Sequence, residues 1–291
     1  MRSGISPKAI GRFAPSPTGP VHIGTLAAAM ASYLDIKTLG GDWLLRIDDI
    51  DRPREIAGAA DRILAFLDKM GFAWDAPVVR QNDCLDIYQD YLKKLQQEGL
   101  TYRCLCSRKQ LGSGPYPGTC RTRNHPTDSQ HAIRLLTNDQ IIGFSDRLQG
   151  HYQQNLQATC GDFVIFRKDQ LFAYQLAVVI DDEIAGVTHI TRGEDLLDST
   201  PRQLYLQRLL QFKTPEYAHF PVILDSNGDK FSKSSPDNKP LHADLKSLTK
   251  AWNHLQSINV NATDFDTIDN FWRWALSHWR TSAIKEKCHH V

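Results

Sequence analysis

No stretch of this sequence approaches the roughly 18 consecutive apolar residues that a membrane span requires, and residues 1–9 carry no apolar core of the kind a secretory leader needs. The expectation is a cytoplasmic protein with no membrane partner. Neither charge sign dominates: 34 Lys and Arg against 33 Asp and Glu leave a formal charge of +1. No global basic field therefore advertises a polyanionic partner, although a bipolar surface can still hold one. Internal repeats and low-complexity tracts are absent, which excludes solenoid and disordered architectures. The 291 residues include six cysteines, which in a reducing compartment read as buried thiols or metal ligands rather than a disulfide framework.

What remains is an ordinary globular composition, 41% apolar and 23% charged, in a chain long enough for one large or two modest domains. The first hundred residues alternate short apolar runs with helical spacing. Strands are expected at Ile10–Ala14 and Trp43–Ile47, and helices at Ile23–Leu39, Glu55–Met70 and Cys84–Glu98. That order implies an α/β fold with a parallel sheet and helices on its faces. From Thr101 to about Leu135 the pattern dissolves into Gly, Pro, Cys, Arg and Thr, as in an insertion organised by something other than a core. Beyond it, Phe163–Arg167 and Leu171–Ile180 read as a hairpin turning at Lys168-Asp169, Thr188–Thr191 and Phe220–Leu224 as strands, and Ser199-Thr200-Pro201 as a capped helix start. The last fifty residues read as helical, with tryptophans at core spacing.

Three segments carry chemistry. Arg12–Thr25 joins the first strand to the first helix, and a Pro- and Gly-rich loop there lets a helix N-terminus direct its free N–H groups at a phosphate. His22 and Thr25 add donors, and Gly24 leaves room for a nucleoside. Asp229–Ser235 places Lys230 and Lys233 on a hydroxyl-rich loop, a pattern suited to the spread charge of a transferring phosphoryl group. Alone, the first segment reads equally as a kinked strand–helix connection, and the second reads more readily as a solvated polar loop. Cys104, Cys106 and Cys120, close together in a region too polar to fold on a core, suit a structural zinc ion, one per chain, with His125 a fourth ligand on chemistry alone.

The pairing of His22-Ile23-Gly24-Thr25 with Lys230-Phe231-Ser232-Lys233-Ser234 resembles the two signature motifs of class I aminoacyl-tRNA synthetases. The longer strings Arg12–Thr25, Leu45–Asp51 and Arg192–Pro201 are similar to the glutamyl branch, over roughly residues 8–240. About fifty residues follow the second motif, where ordinary glutamyl-tRNA synthetases carry a large anticodon-binding region. The architecture therefore resembles the truncated glutamyl-Q tRNA(Asp) synthetases.

The resemblance implies a Rossmann-like catalytic domain split into residues 1–100 and 196–240, an insertion with a zinc site and acceptor-type subdomain over 101–195, and a short helical region over 241–291. It implies activation of L-glutamate by ATP with Mg²⁺, and transfer to the queuosine base in the anticodon of tRNA(Asp) by a monomer. His22, Lys230 and Lys233 would be catalytic, with Gly24 and Thr25 also at ATP. Arg12, Ala14, Ser16, Asp48, Tyr174 and Arg192 would bind glutamate, Asp48 standing one methylene short of the family's usual Glu. The family spacing, Cys-x-Cys then Tyr-x3-Cys, points to Tyr116 rather than His125 as the fourth zinc ligand. Arg103, Arg108, Lys109, Arg121 and Arg123 form a local basic surface for a small stem-loop, or simply a solvated face. Alternatives are a compact enzyme charging the 3′ end of tRNA(Glu), or a catalytically silent RNA-binding paralogue.

Overall fold

The computed structural model describes residues 8–126, 129–223, 241–281 and 283–284. In chain order the strands are β1 (Ile10–Phe13), β2 (Asp42–Ile47), β3 (Val79–Arg80), β4 (Thr101–Cys104), β5 (Ala132–Leu135), β6 (Ile141–Asp146), β7 (Gly150–Asn155), β8 (Val164–Phe166), β9 (His189–Gly193) and β10 (Glu216–Phe220). The helices are α1 (Ile23–Lys37), α2 (Ala59–Lys69), α3 (Leu85–Gln97), α4 (Arg108–Leu111), α5 (Leu156–Thr159), α6 (Tyr174–Ile184), α7 (Thr200–Leu210), α8 (Leu245–Leu255) and α9 (Ile268–His278). None of the described helices is long and apolar enough to cross a membrane.

Seven strands form one sheet in the order β3-β2-β1-β9-β10-β6-β7, parallel except where the β6–β7 hairpin closes one edge. A second antiparallel sheet, β4-β5-β8, supports the insertion. The α/β class with a parallel sheet is as expected. Two apolar cores result. The first joins α1 to α2, α8 and α9 through Leu26, Met30, Leu34, Trp43, Trp252 and Phe271; the second joins α3, α6 and α7 through Tyr88, Leu92, Leu176, Ile180 and Leu206. The nearly all-apolar face of α1 is needed because this helix packs on both the sheet and α8. Gly11 permits that approach, since a Cβ there would sit 3.1 Å from the Ile36 side chain.

Several local expectations are corrected. Leu171–Ile180 is not the second arm of a hairpin. The chain turns with Gln170 at positive φ and makes a single antiparallel bridge between Phe166 and Phe172 before entering α6. An apolar run of this length cannot distinguish a buried helix from a buried strand. The last sheet strand lies earlier, at Glu216–Phe220, because Pro221 offers no N–H to extend it. Ser199 precedes α7 without capping it, its hydroxyl instead accepting from Gln175 and Arg202. The region from 101 to 135 is not wholly irregular, since β4 and β5 bound it. The tryptophans of the last helices are core residues: Trp252, Trp272 and Trp279 are buried, and the Trp272 indole N–H donates to the Met70 carbonyl at 2.7 Å.

Candidate active site and cysteine cluster

The chain leaves β1 toward β2 on one side, while β9 flanks β1 on the other. Such a reversal of strand order opens a crevice at the carboxyl ends of the strands. Here the crevice is a cavity of about 320 Å³. The β1–α1 segment contributes Arg12, Ala14, Ser16, His22, Gly24 and Thr25; Asp48 follows β2, Tyr174 opens α6 and Arg192 lies on β9. These nine residues, singled out from sequence, thus share one cavity. Lys230 and Lys233 lie outside the described residues.

His22 occupies the N-cap of α1, where its Nδ1 accepts the Thr25 backbone N–H at 3.3 Å. Nε2 of the neutral ring then carries the proton and can donate to an anion. Gly24 serves the histidine as well as the cavity, because a Cβ at this position would lie 3.2 Å from the imidazole. The room that Gly24 leaves is thus shared with the His22 ring rather than kept wholly for a nucleoside.

Beneath the cavity lies a buried charge network. Arg12 donates from Nε to Asp182 at 3.2 Å; Arg46 donates to Asp48 at 2.6 Å and to Asp182 at 2.7 Å. Asp181 accepts from the Tyr88 hydroxyl at 2.6 Å and the Gln81 amide at 2.7 Å. Burial opposes the ionisation of Asp182, but Arg12 and Arg46 outweigh it and hold the carboxyl below its usual range. For Asp48 burial wins over Arg46, and its pKa is pushed up to about 6. Asp48 therefore both lines the cavity and pairs with Arg46, joining its substrate-facing and strand-ending readings. The neighbouring acids are structural: Asp49 accepts the Asn82 N–H, and Asp51 pairs with Arg54 and Arg167.

Arg192 is 5% exposed. Its Nε donates to His219 at 3.0 Å and its Nη2 to Thr200 at 2.8 Å and Gln203 at 2.9 Å, while its buried Nη1 has no partner. A buried cationic N–H without a partner is costly, so an anion received there would complete the shell.

The insertion gathers three thiols. The sulfurs of Cys104, Cys106 and Cys120 lie within 4.8 Å of one another, with Cys106 and Cys120 3.6 Å apart. The Tyr116 hydroxyl lies 3.5 Å from the Cys104 sulfur and 3.9 Å from that of Cys106, and accepts the Cys120 N–H at 2.9 Å. Tetrahedral zinc with Zn–S near about 2.3 Å keeps its sulfurs about 3.8 Å apart, so this donor set fits the ion in size and chemistry. Burial disfavours the Cys120 thiolate, but the Leu105 N–H, His125 and Tyr116 outweigh it and bring its pKa down to about 6. The ring of His125 is not among the groups that converge on all three sulfurs. Beside the cluster a polar cavity of about 550 Å³ is lined by Arg103, Arg121, Arg123 and His125, with Arg121 already paired to Asp162 at 2.5 Å.

With the cavity at the strand switch point and the cysteines in an insertion, relatives can be compared on the same features. Residues 8–115 and 119–262 match the family described as tRNA synthetases class I (E and Q), catalytic domain. A glutamyl-Q tRNA(Asp) synthetase of Pseudomonas fluorescens is 47% identical over 98% of this chain and 96% of its own length. Another, from Ectopseudomonas mendocina, is 54% identical over 81% of this chain and 80% of its own. The chain belongs to the glutamyl-Q tRNA(Asp) synthetase branch of class I synthetases. A crystallised glutamate tRNA ligase from Elizabethkingia meningosepticum, in complex with its amino acid, superposes with a TM-score of 0.70 at 29% identity. That alignment covers 79% of this chain but 53% of the ligase, so the chain spans about half the length of that relative.

Sequence reasoning did not pick out the groups that hold the glutamyl-branch arginines. Asp181 and Asp182 interrupt the apolar run of α6, and consecutive acids on a buried helix are a usable signal of paired cations. Asp146, His219, Thr200 and Gln203 gave no such signal, because each is an ordinary polar residue until the sheet register brings it to Arg192.

Proposed function

We propose that this protein activates L-glutamate with ATP and transfers it to the queuosine base in the anticodon of tRNA(Asp). The observation that carries this reading is the convergence of Arg12, His22, Asp48, Tyr174 and Arg192 on one cavity, in a chain nearly half identical to glutamyl-Q tRNA(Asp) synthetases along almost its whole length. Glutamate offers two carboxylates and an ammonium. Arg192, with an unsatisfied Nη1, and Arg12 suit the former, and Asp48 suits the latter.

In the first step a glutamate carboxylate oxygen attacks the α-phosphate of ATP in line, and pyrophosphate departs. No protein nucleophile is needed, so the chain's contribution is position and charge. His22 offers Nε2–H to the phosphates beside the N-terminus of α1, and Lys230 with Lys233 takes the charge of the departing pyrophosphate. Mg²⁺ bound with ATP would supply further positive charge to the phosphates. In the second step a hydroxyl of the queuosine cyclopentene ring attacks the mixed anhydride and releases AMP.

Cys104, Cys106, Cys120 and Tyr116 would hold one zinc ion whose role is structural, since four protein ligands close its shell. Arg103 and Arg123 beside it offer cations to the phosphates of a short stem-loop. The deciding experiment is transfer of radiolabelled glutamate to tRNA(Asp) with and without queuosine. Labelling only of the modified tRNA is expected. Equal labelling of unmodified tRNA(Asp), or of tRNA(Glu) at its 3′ end, defeats the proposal.

A further inference from the structure

Three neighbouring parallel strands line up Asp146 at the end of β6, His219 on β10 and Arg192 on β9. His219 and Arg192 are register partners, and Tyr217 of β10 pairs with Asp146. The imidazole bridges its neighbours: Nδ1 is 2.6 Å from Asp146 Oδ2, and Nε2 is 3.0 Å from the Nε of Arg192. Asp146 and His219 side chains are fully buried. The ring stacks against Tyr217 at 6.0 Å and meets Phe144 edge-on at 6.2 Å, so it cannot turn away.

Hydrogen-bond direction fixes the chemistry of this row. An arginine Nε–H only donates, so Nε2 of His219 accepts, and the ring proton must sit on Nδ1, where it donates to Asp146. The other oxygen of Asp146, Oδ1, accepts the backbone N–H groups of Leu148, Gln149 and His219 at 2.9, 2.9 and 3.1 Å. The carboxylate is thereby locked with Oδ2 toward the ring. Burial and the Arg192 charge hold His219 below its usual pKa, which keeps it neutral. Thr200, whose hydroxyl also lies 3.1 Å from Nε2 of His219, and Gln203 engage Nη2, so only Nη1 of the guanidinium is without a partner.

We propose that His219, held in its Nδ1–H tautomer by Asp146, is a positioning residue that fixes the Arg192 guanidinium so that Nη1 receives a substrate carboxylate. The inference rests on the reading of Arg192 as a glutamate ligand. Arginine is a flexible side chain, and clamping Nε and Nη2 from two elements removes that freedom before glutamate arrives. The row also explains how a fully buried histidine is placed next to a buried cation without repulsion.

Asp146→Asn tests the arrangement directly. The three backbone donors keep the amide oxygen at the Oδ1 position and turn the amide N–H₂ toward Nδ1. The ring must then carry its proton on Nε2, facing the Arg192 Nε–H, donor against donor. Glutamate-dependent ATP–pyrophosphate exchange should show KM for glutamate raised about tenfold or more, with KM for ATP and the thermal midpoint little changed. His219→Gln, whose amide oxygen can still accept from Arg192, should keep a lower glutamate KM than His219→Asn. In the wild type, ¹⁵N NMR of the labelled imidazole should report a protonated Nδ1 and a bare Nε2. A protonated Nε2 in the wild type overturns the proposal, whatever the variants do. Arg192→Lys separates the two layers. If it raises glutamate KM while Asp146→Asn does not, the positioning role fails alone; if it leaves glutamate KM unmoved, the reading of Arg192 fails with it.

Discussion

The cavity and the cysteine insertion are built by opposite means. Around the cavity, two apolar cores hold α1, α6, β1 and β9, and the functional charges are seated in pairs: Arg12 on Asp182, Arg46 on Asp48, Arg192 on His219. The stretch around the cysteines, residues 102–120, has almost no core of its own; among the described residues its buried apolar cluster is Cys104, Tyr116 and Cys120, the same groups that would bind metal. Packing therefore preforms the first region, whereas the second would gain about 10 kcal/mol or more from the zinc proposed to close its shell. Chemistry that must not move is placed on the sheet. On the function proposed above, recognition of a separate RNA would fall to the part that a metal would organise.

This contrast predicts that the two regions fail separately. The largest effect is expected from Lys233→Ala, which should lower the rate of pyrophosphate exchange by about 10²- to 10³-fold, the usual cost of removing a group that meets charge developing in a transition state. Glutamate binding by calorimetry and zinc content by atomic absorption should stay as in the wild type. Unchanged exchange turnover in this variant would remove Lys233 from the reaction. Next, Cys106→Ser should lower zinc affinity by about 10- to 100-fold or more, since a thiolate leaves the donor set. Exchange should stay within about threefold of wild type, as local opening of a peripheral unit leaves the cores intact, while transfer to tRNA(Asp) collapses. Loss of exchange in step with zinc would mean that the two regions are one cooperative unit.

What sequence made legible divides along the same line. Motifs confined to one segment could be read: Arg12–Thr25 contains its loop and its helix start together, and Cys104, Cys106, Tyr116 and Cys120 lie within 17 positions. The α/β class followed from alternating periodicity, because each strand and helix carries its own pattern. Relations between distant segments were not legible. Nothing in Ile141–Asp146 says that its last residue will orient a histidine 73 positions on, and the β6–β7 hairpin itself passed unread, because Gly150 and three glutamines or asparagines blur its alternation. Leu171–Ile180 reads as a strand although it leads into α6, because Leu176–Ile180 is apolar without a break until Asp181. The Lys230–Lys233 loop remains known from its residues alone.

The smallest effect concerns Asp48, and it sharpens the boundary between the regions. Burial pushes its pKa up to about 6 despite Arg46, above the value of about 4 expected in the unfolded chain. The folded protein therefore takes up a proton between pH 6 and 4 that the unfolded chain does not, so Asp48 adds to stability as pH falls and loses that contribution as pH rises through about 6. With Asp48 in its proposed role, function would run the other way, because only the ionised carboxylate can hold the substrate ammonium. At pH 5 about one Asp48 in ten is ionised, which should raise the apparent KM for glutamate about tenfold over pH 7 while KM for ATP stays level. Asp48→Asn should start from the high value and flatten the profile, without lowering the thermal midpoint at neutral pH. The insertion contains a thiolate in the same range, Cys120, brought down to about 6, so acid could act through either region. An acid-side loss that persists in Asp48→Asn and coincides with release of zinc belongs to the thiolates. One that disappears with the variant places the proton on Asp48, and with it the ammonium end of glutamate beside Arg46.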